Sequence, residues 1–133
     1  MNINKQVTTL EQSKKLKELG IIQTGLFTFV WNGAYIDVDG NKGFILLYQE
    51  DEIDLWDESY SAFTVAELGI MLGIVTNGIS YDDEFNVWFT NWGLEFIRRF
   101  ETEASAKAAL LIHMLENGLM DTGDINERLR KLL

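Results

Sequence analysis

The chain has 133 residues, 47% of them apolar and 24% charged, with 21 acidic against 11 basic side chains and a formal charge of −10. It contains neither cysteine nor proline. That excludes a disulfide framework, a thiolate metal site and a cysteine nucleophile, and it suits a reducing compartment such as the cytoplasm. The length fits a single domain over residues 1–133, and the apolar share, with Phe 8, Trp 4 and Tyr 4, predicts a packed core rather than a disordered chain.

In chain order, Met1–Gln6 is polar and lacks the apolar region of a signal peptide. Thr9 to Leu19 reads as a first helix. Thr8-Thr9-Leu10-Glu11 is placed as its capping box, with Thr8 as the cap and Glu11 reaching back. Glu11 and Lys15 are spaced as an i,i+4 pair, and Gly20 stops the helix in the left-handed region. Its apolar residues are few, chiefly Leu10, Leu16 and Leu19, so it is expected on the surface. Leu26–Trp31, Ala34–Val38 and Phe44–Tyr48 read as a three-strand meander, with Asn32-Gly33 as a two-residue hairpin turn and Asp39–Gly43 as a second turn.

Gln49 to Ser59 is acidic, with Ile53, Leu55 and Trp56 set among carboxylates. Thr64-Val65-Ala66-Glu67 is a second capping box, opening a helix that ends near Gly73. Val75–Ile79 is turn-like, Asn86–Thr90 a strand, and Leu94–Phe100 leans to strand by its alternation. Glu103–Glu116 is the strongest helix, with Ala106, Ala109, Leu110 and Met114 on one face, widened by Leu111, Ile112 and Leu115, a Glu103–Lys107 pair, and Asn117-Gly118 as its stop. Asp124 to Glu127 caps a short last helix that ends in cations at Arg130-Lys131. The expected fold class is α+β: an antiparallel sheet of four to five strands packed against two main helices, with short helices at both ends. No apolar run approaches the ~20 residues of a membrane span.

The charge is concentrated. From Gly43 to Ile97 there is no Lys or Arg, and eleven acids: Glu50, Asp51, Glu52, Asp54, Asp57, Glu58, Glu67, Asp82, Asp83, Glu84 and Glu95. The rest of the chain is nearly neutral (10 acids against 11 bases). So acidic a chain argues against direct binding of nucleic acid or an anionic membrane, because phosphate contacts need Lys and Arg. The acids at Glu50, Asp51, Glu52, Asp54, Asp57 and Glu58 around Trp56, with Asp82, Asp83 and Glu84, form the candidate partner-binding set. Trp56 would be its exposed anchor. The same segment also reads as a sheet edge with acids in solvent and hydrophobes tucked in, which strand alternation favours.

Catalytic and metal motifs are weak. Asp37, Asp39 and Asn41 match the opening of a calcium loop, but Lys42 stands where its glycine belongs and Tyr48 where its bidentate Glu belongs. Turn chemistry explains the same residues. His113 is the sole histidine, so no His-based metal site can be built. None of Ser13, Ser59, Ser61, Ser80 and Ser105 sits in a nucleophile elbow. His113 is expected at the edge of the core, and Trp31 and Trp88 within it. No catalytic residue, metal ligand or cofactor is assigned.

Three stretches carry a resemblance: Thr9–Ile21, Ala62–Leu72 and Ala108–Leu119, the last containing Leu115-Glu116-Asn117-Gly118. Together they resemble a family of small, uncharacterised proteins encoded by phages and integrated mobile elements of gut Bacteroides-type bacteria. Members often place a proline near the end of the middle helix, where this chain has Gly73. The resemblance implies a fold and a genomic setting and carries over no catalytic or ligand residue. The leading expectation is a non-enzymatic, cytoplasmic accessory protein acting on a protein partner, with homodimer formation left open. The alternatives are an acidic mimic of nucleic acid that blocks a host DNA- or RNA-binding protein, and a small metal-dependent hydrolase using Asp37, Asp39, Asp82 or Asp83.

Overall fold

The computed structural model describes residues 3–36, 42–48, 59–85, 87–92 and 96–132. The elements are α1 (Leu10–Glu18), β1 (Phe27–Ile36), β2 (Lys42–Tyr48), β3 (Ser59–Ala62), α2 (Val65–Leu72), β4 (Ile79–Asp82), β5 (Val87–Trp92), β6 (Phe96–Phe100), α3 (Glu103–Glu116) and α4 (Thr122–Arg130). Short 3-10 turns cover Ile3–Lys5 and Gly73–Gly78. The fold is α+β. Among the described residues the strands are shared between two antiparallel sheets, ordered β2-β1-β3 and β4-β5-β6, rather than gathered into one.

The core is mainly helical. Leu16 of α1, Leu68, Met71 and Leu72 of α2, Leu110, Leu111 and Met114 of α3, and Ile125 and Leu129 of α4 are buried together, with Phe63 from the β3–α2 link. The small residues Ala104, Ala106 and Ala108 are fully buried on α3. They bring neighbouring elements close to its axis, so α3 contacts α1 and α2 as well as all three strands of the second sheet. Its apolar stripe is wide, as expected: Leu111 is buried and Ile112 and Leu115 pack against the core, because the helix is covered from more than one direction.

Helix ends follow local chemistry, with shifts. Both helices open on a capping box, one of them at other residues than expected. That of α2 stands where predicted, with Thr64 as cap and Glu67 reaching back. That of α1 lies one residue later, with Thr9 as cap and Gln12 as its partner. Thr8 is thereby free to bind elsewhere. It is fully buried, its hydroxyl pairs with Ser13 Oγ at 2.7 Å, and that hydroxyl accepts from the Phe63 amide. Lys15 does not pair with Glu11; it reaches Glu116 of α3 at 3.3 Å and Glu18 at 3.9 Å. The Glu103–Lys107 pair forms at 2.9 Å. The last helix starts at Thr122 with Asp121 as cap, ahead of the predicted Asp124, and does carry Arg128 and Arg130 in its last turn.

The first sheet departs most from expectation. No turn forms at Asn32-Gly33; β1 runs through both residues to Ile36. Asn32 pairs with Gly43 and Ile36 with Lys42, so the backbone between Asn32 and Ile36 bulges out of the ladder. The conformational freedom that marked a hairpin is used in a bulge instead. The second edge of β1 is taken by Ser59–Ala62, a segment not read as a strand. The expected turn and calcium-loop residues Asp37, Asp39 and Asn41 lie outside the described residues. Of Leu94–Phe100, Phe96–Phe100 is strand as expected, and Leu94 and Glu95 lie outside the described residues.

Polar side chains tie the elements together. Asn126 of α4 accepts from the Ile22 amide and donates to the Gly20 carbonyl, both at 2.9 Å. Arg128 Nη1 donates to the Met71 carbonyl at 2.7 Å, and Gln12 Nε2 to the Ser105 carbonyl at 2.9 Å. The Asn126 and Arg128 bonds satisfy backbone groups at a loop and a helix end that burial would otherwise leave without water, and the Gln12 bond ties α1 to α3.

Candidate functional site

Strand alternation places Phe27, Phe29 and Trp31 on one face of the first sheet. Pairing sets Tyr48, Leu46 and Phe44 of β2 opposite them, and Ala62 and Tyr60 of β3 beside the first two. The rings interlock: Trp31 meets Phe44 edge-on at 5.2 Å, Phe27 meets Tyr48 at 5.7 Å, and Phe44 lies 6.0 Å from Tyr60. Helix α1 lies over part of this face. Lys14 Nζ stands 5.1 Å from the centre of the Phe44 ring and Lys17 Nζ 5.1 Å from that of Tyr60. Lys17 also donates to the Ser59 carbonyl at 3.1 Å. The lysine stems cover ring surface while their charges meet the negative ring faces.

That cover is incomplete. Trp31 is 42% exposed and Tyr48 44%. Trp31 was expected in the core; its place in a strand holds, its burial does not. Among the described residues, pairing with β3 runs as far as Val30 and Ser59, one residue short of Trp31. Its ring packs instead over Gly43 as well as Phe44. Gly43 has φ +97, and a Cβ there would overlap the Trp31 ring. Glycine is thus required twice, by backbone sign and by ring contact. Trp88 is half-buried, with its ring 5.0 Å from Tyr81.

Among the aromatic side chains the structure describes, Phe63 alone is fully buried. Aliphatic residues fill the core, and the rings sit on sheet faces and turns. Nothing in the sequence pattern separates the two uses, since the same rings are the usual cores of small domains.

Of the predicted acidic set, Glu50, Asp51, Glu52, Asp54, Trp56, Asp57 and Glu58 lie outside the described residues, as does Glu95. Asp82, Asp83 and Glu84 come together at the β4–β5 turn, where Asp83 and Glu84 are exposed. Asp82 is partly committed to that turn, its Oδ1 accepting from the Glu84 amide at 3.0 Å. Glu67 is structural. Its carboxylate accepts from the Thr64 amide at 2.9 Å and from the Leu26 amide at 3.1 Å. It therefore closes the α2 cap and fastens the entry to β1.

His113 lies half-buried on α3, at the core's edge as expected. Its Nδ1 is 3.2 Å from Asn117 Nδ2, and it borders a cleft of about 360 Å³ with Arg98, Phe100, Ile112 and Glu116. The described lining residues include no serine or threonine for the imidazole to activate. Among the described residues no three His, Asp or Glu side chains converge as metal ligands would, and no helix is long and apolar enough to cross a membrane. Compared with protein-family models, with curated proteins and with solved structures, the chain matches none of them.

Proposed function

We propose that this is a non-enzymatic accessory protein of a phage or mobile element, working in the cytoplasm by contact with a protein partner, with the aromatic face of the first sheet as the contact. The observation that carries this reading is the distribution of the rings. A core that already holds its apolar residues in four helices leaves Trp31 and Tyr48 in solvent, next to Phe27 and Phe44. Tryptophan and tyrosine are the residues that most often dominate binding energy once a partner dries them. The cations of α1 hold Phe44 and Tyr60, Trp31 is seated on Gly43 and Phe44, and Tyr48 on Phe27, before any partner arrives, which lowers the ordering cost of association.

The test is retention of a host-cell partner by the tagged wild-type chain and by Trp31→Ser/Tyr48→Ser, both shown folded by circular dichroism. A partner held by the wild type and lost by the variant supports the reading. Equal retention by both overturns the assignment to this face, and the absence of any partner at every salt concentration overturns the protein-contact reading itself.

The acidic mimic is the second reading, supported by the exposed pair Asp83 and Glu84 on one turn. Its mark is a partner that binds nucleic acid, released by moderate salt and weakened by Asp83→Asn/Glu84→Gln. A partner indifferent to both sinks it.

A further inference from the structure

At the other end of the helical core lies a groove of about 670 Å³ between the Gly73–Gly78 turn and the α3–α4 connection. Leu72, which is fully buried, and the half-buried Val75 and Met120 line its inner part. Its apolar rim is conspicuous: Ile74 is 87% exposed, the highest value among the exposed large hydrophobic side chains described, and Leu119 is 52% exposed. Gly118, with φ +68, leaves open space where a Cβ would stand. Two unrelated segments thus turn apolar side chains outward into one concavity, where burial against the adjacent core would be the ordinary outcome.

The charges bordering the groove are unequal. Arg128 Nη1 is bound to the carbonyl of Met71, at the negative end of α2, which offsets part of its charge. Asp121 spends Oδ1 on the Gly123 amide at 3.0 Å, as cap of α4. Asp124 is exposed and forms no ion pair among the described residues. The N-terminus of α4 returns roughly half a charge to the two carboxylates, so the groove stays negative, on a chain whose net charge is −10. An anionic or purely apolar occupant would leave that field uncompensated.

We propose that this groove docks a basic, apolar peptide segment of a partner protein. One apolar side chain enters between Ile74 and Leu119, and a Lys or Arg beside it meets Asp121 and Asp124. The inference rests on the protein-contact reading above but uses a different surface, so each can fail alone. Charge complementarity selects the occupant: the carboxylates favour cations on the rim while the groove takes up apolar area.

The probe is a synthetic amphipathic peptide of Leu and Lys in helical periodicity, with a Leu/Glu peptide of the same pattern as control, titrated calorimetrically against the full chain. The Leu/Lys peptide binds and the Leu/Glu peptide does not. Ile74→Ser/Leu119→Ser, changes at exposed positions that leave the fold intact, weaken binding by at least about tenfold. Asp124→Asn weakens it roughly threefold, while Glu101→Gln, an equal change of charge at an exposed position before the far end of α3, leaves it unchanged. Equal loss from Glu101→Gln and Asp124→Asn means that net charge alone attracts the peptide, and overturns the proposal. Unchanged binding by Ile74→Ser/Leu119→Ser does the same. If light scattering shows a dimer that this double variant splits, the occupant is a second copy and not a basic peptide. Failure here with partner retention still dependent on Trp31 and Tyr48 leaves the first-sheet reading standing.

Discussion

The four-helix core and the first sheet use apolar residues in opposite ways. In the core, Leu, Ile, Met and Ala are fully shielded, and the helix ends are closed by side chains with paired partners: Thr64 with Glu67, Thr9 with Gln12, Asn126 with the Gly20–Ile22 loop. On the sheet, larger side chains stay half-buried or exposed, arranged edge to face and partly covered by lysines. Stability should therefore follow the aliphatic residues, while the rings contribute more to recognition than to folding. Size alone would predict the reverse, because a tryptophan can bury more area than a leucine.

The sharpest way to break this contrast is to truncate both regions. Leu110→Ala is expected to cost about 2–5 kcal/mol in urea unfolding, from lost transfer energy and the cavity left behind. Asn126→Ala comes next, at about 1–3 kcal/mol, because it strips partners from the Ile22 amide and the Gly20 carbonyl at a largely buried site. Gly43→Ala tests the sheet at its tightest point. It should cost about 1–2 kcal/mol from the positive φ, plus a steric part that Trp31→Ala relieves, so a double-mutant cycle should show coupling between the two positions.

Thr64→Ala should lose about 1 kcal/mol through the α2 cap. Some of that loss should appear as faster amide exchange at Leu26, which shares the Glu67 carboxylate. The smallest effect is assigned to Lys15→Ala: its ion pair with Glu116 joins side chains 37% and 46% exposed, and exposed pairs contribute about 0–1 kcal/mol. If thermal and urea unfolding find Trp31→Ala as costly as Leu110→Ala, the division of labour between core and sheet is wrong.

Local chemistry could be read from the sequence wherever it needed only neighbours along the chain. The Thr64–Glu67 box, the Glu103–Lys107 pair and the stops at Gly20 and Gly118 stand where they were expected, and the strands at Val87–Trp92 and Phe96–Phe100 close to it. What depended on distant partners could not be read this way. Thr8 looked like a helix cap, but Ser13 and Phe63 bury it and the next threonine takes the role. Asn32-Gly33 looked like a hairpin, but β2 pairs past it. Lys15 had an intrahelical partner by spacing and found Glu116 on another helix instead. Glu67 was legible as the partner of Thr64 in the α2 cap, but not as the acceptor of the Leu26 amide, which is far away in sequence.

The sequence by itself determined the α+β class, the positions of the main helices and the placing of the charge excess between Gly43 and Ile97, because periodicity, capping and charge are properties of short segments. Only the tertiary structure decided which apolar residues would be core and which would remain surface. Trp31 and Leu110 are equally hydrophobic letters in well-formed elements. One lies on a sheet face that α1 covers only in part and the other in the middle of a helix covered from several sides. Burial is a relation among elements, and no single element carries it.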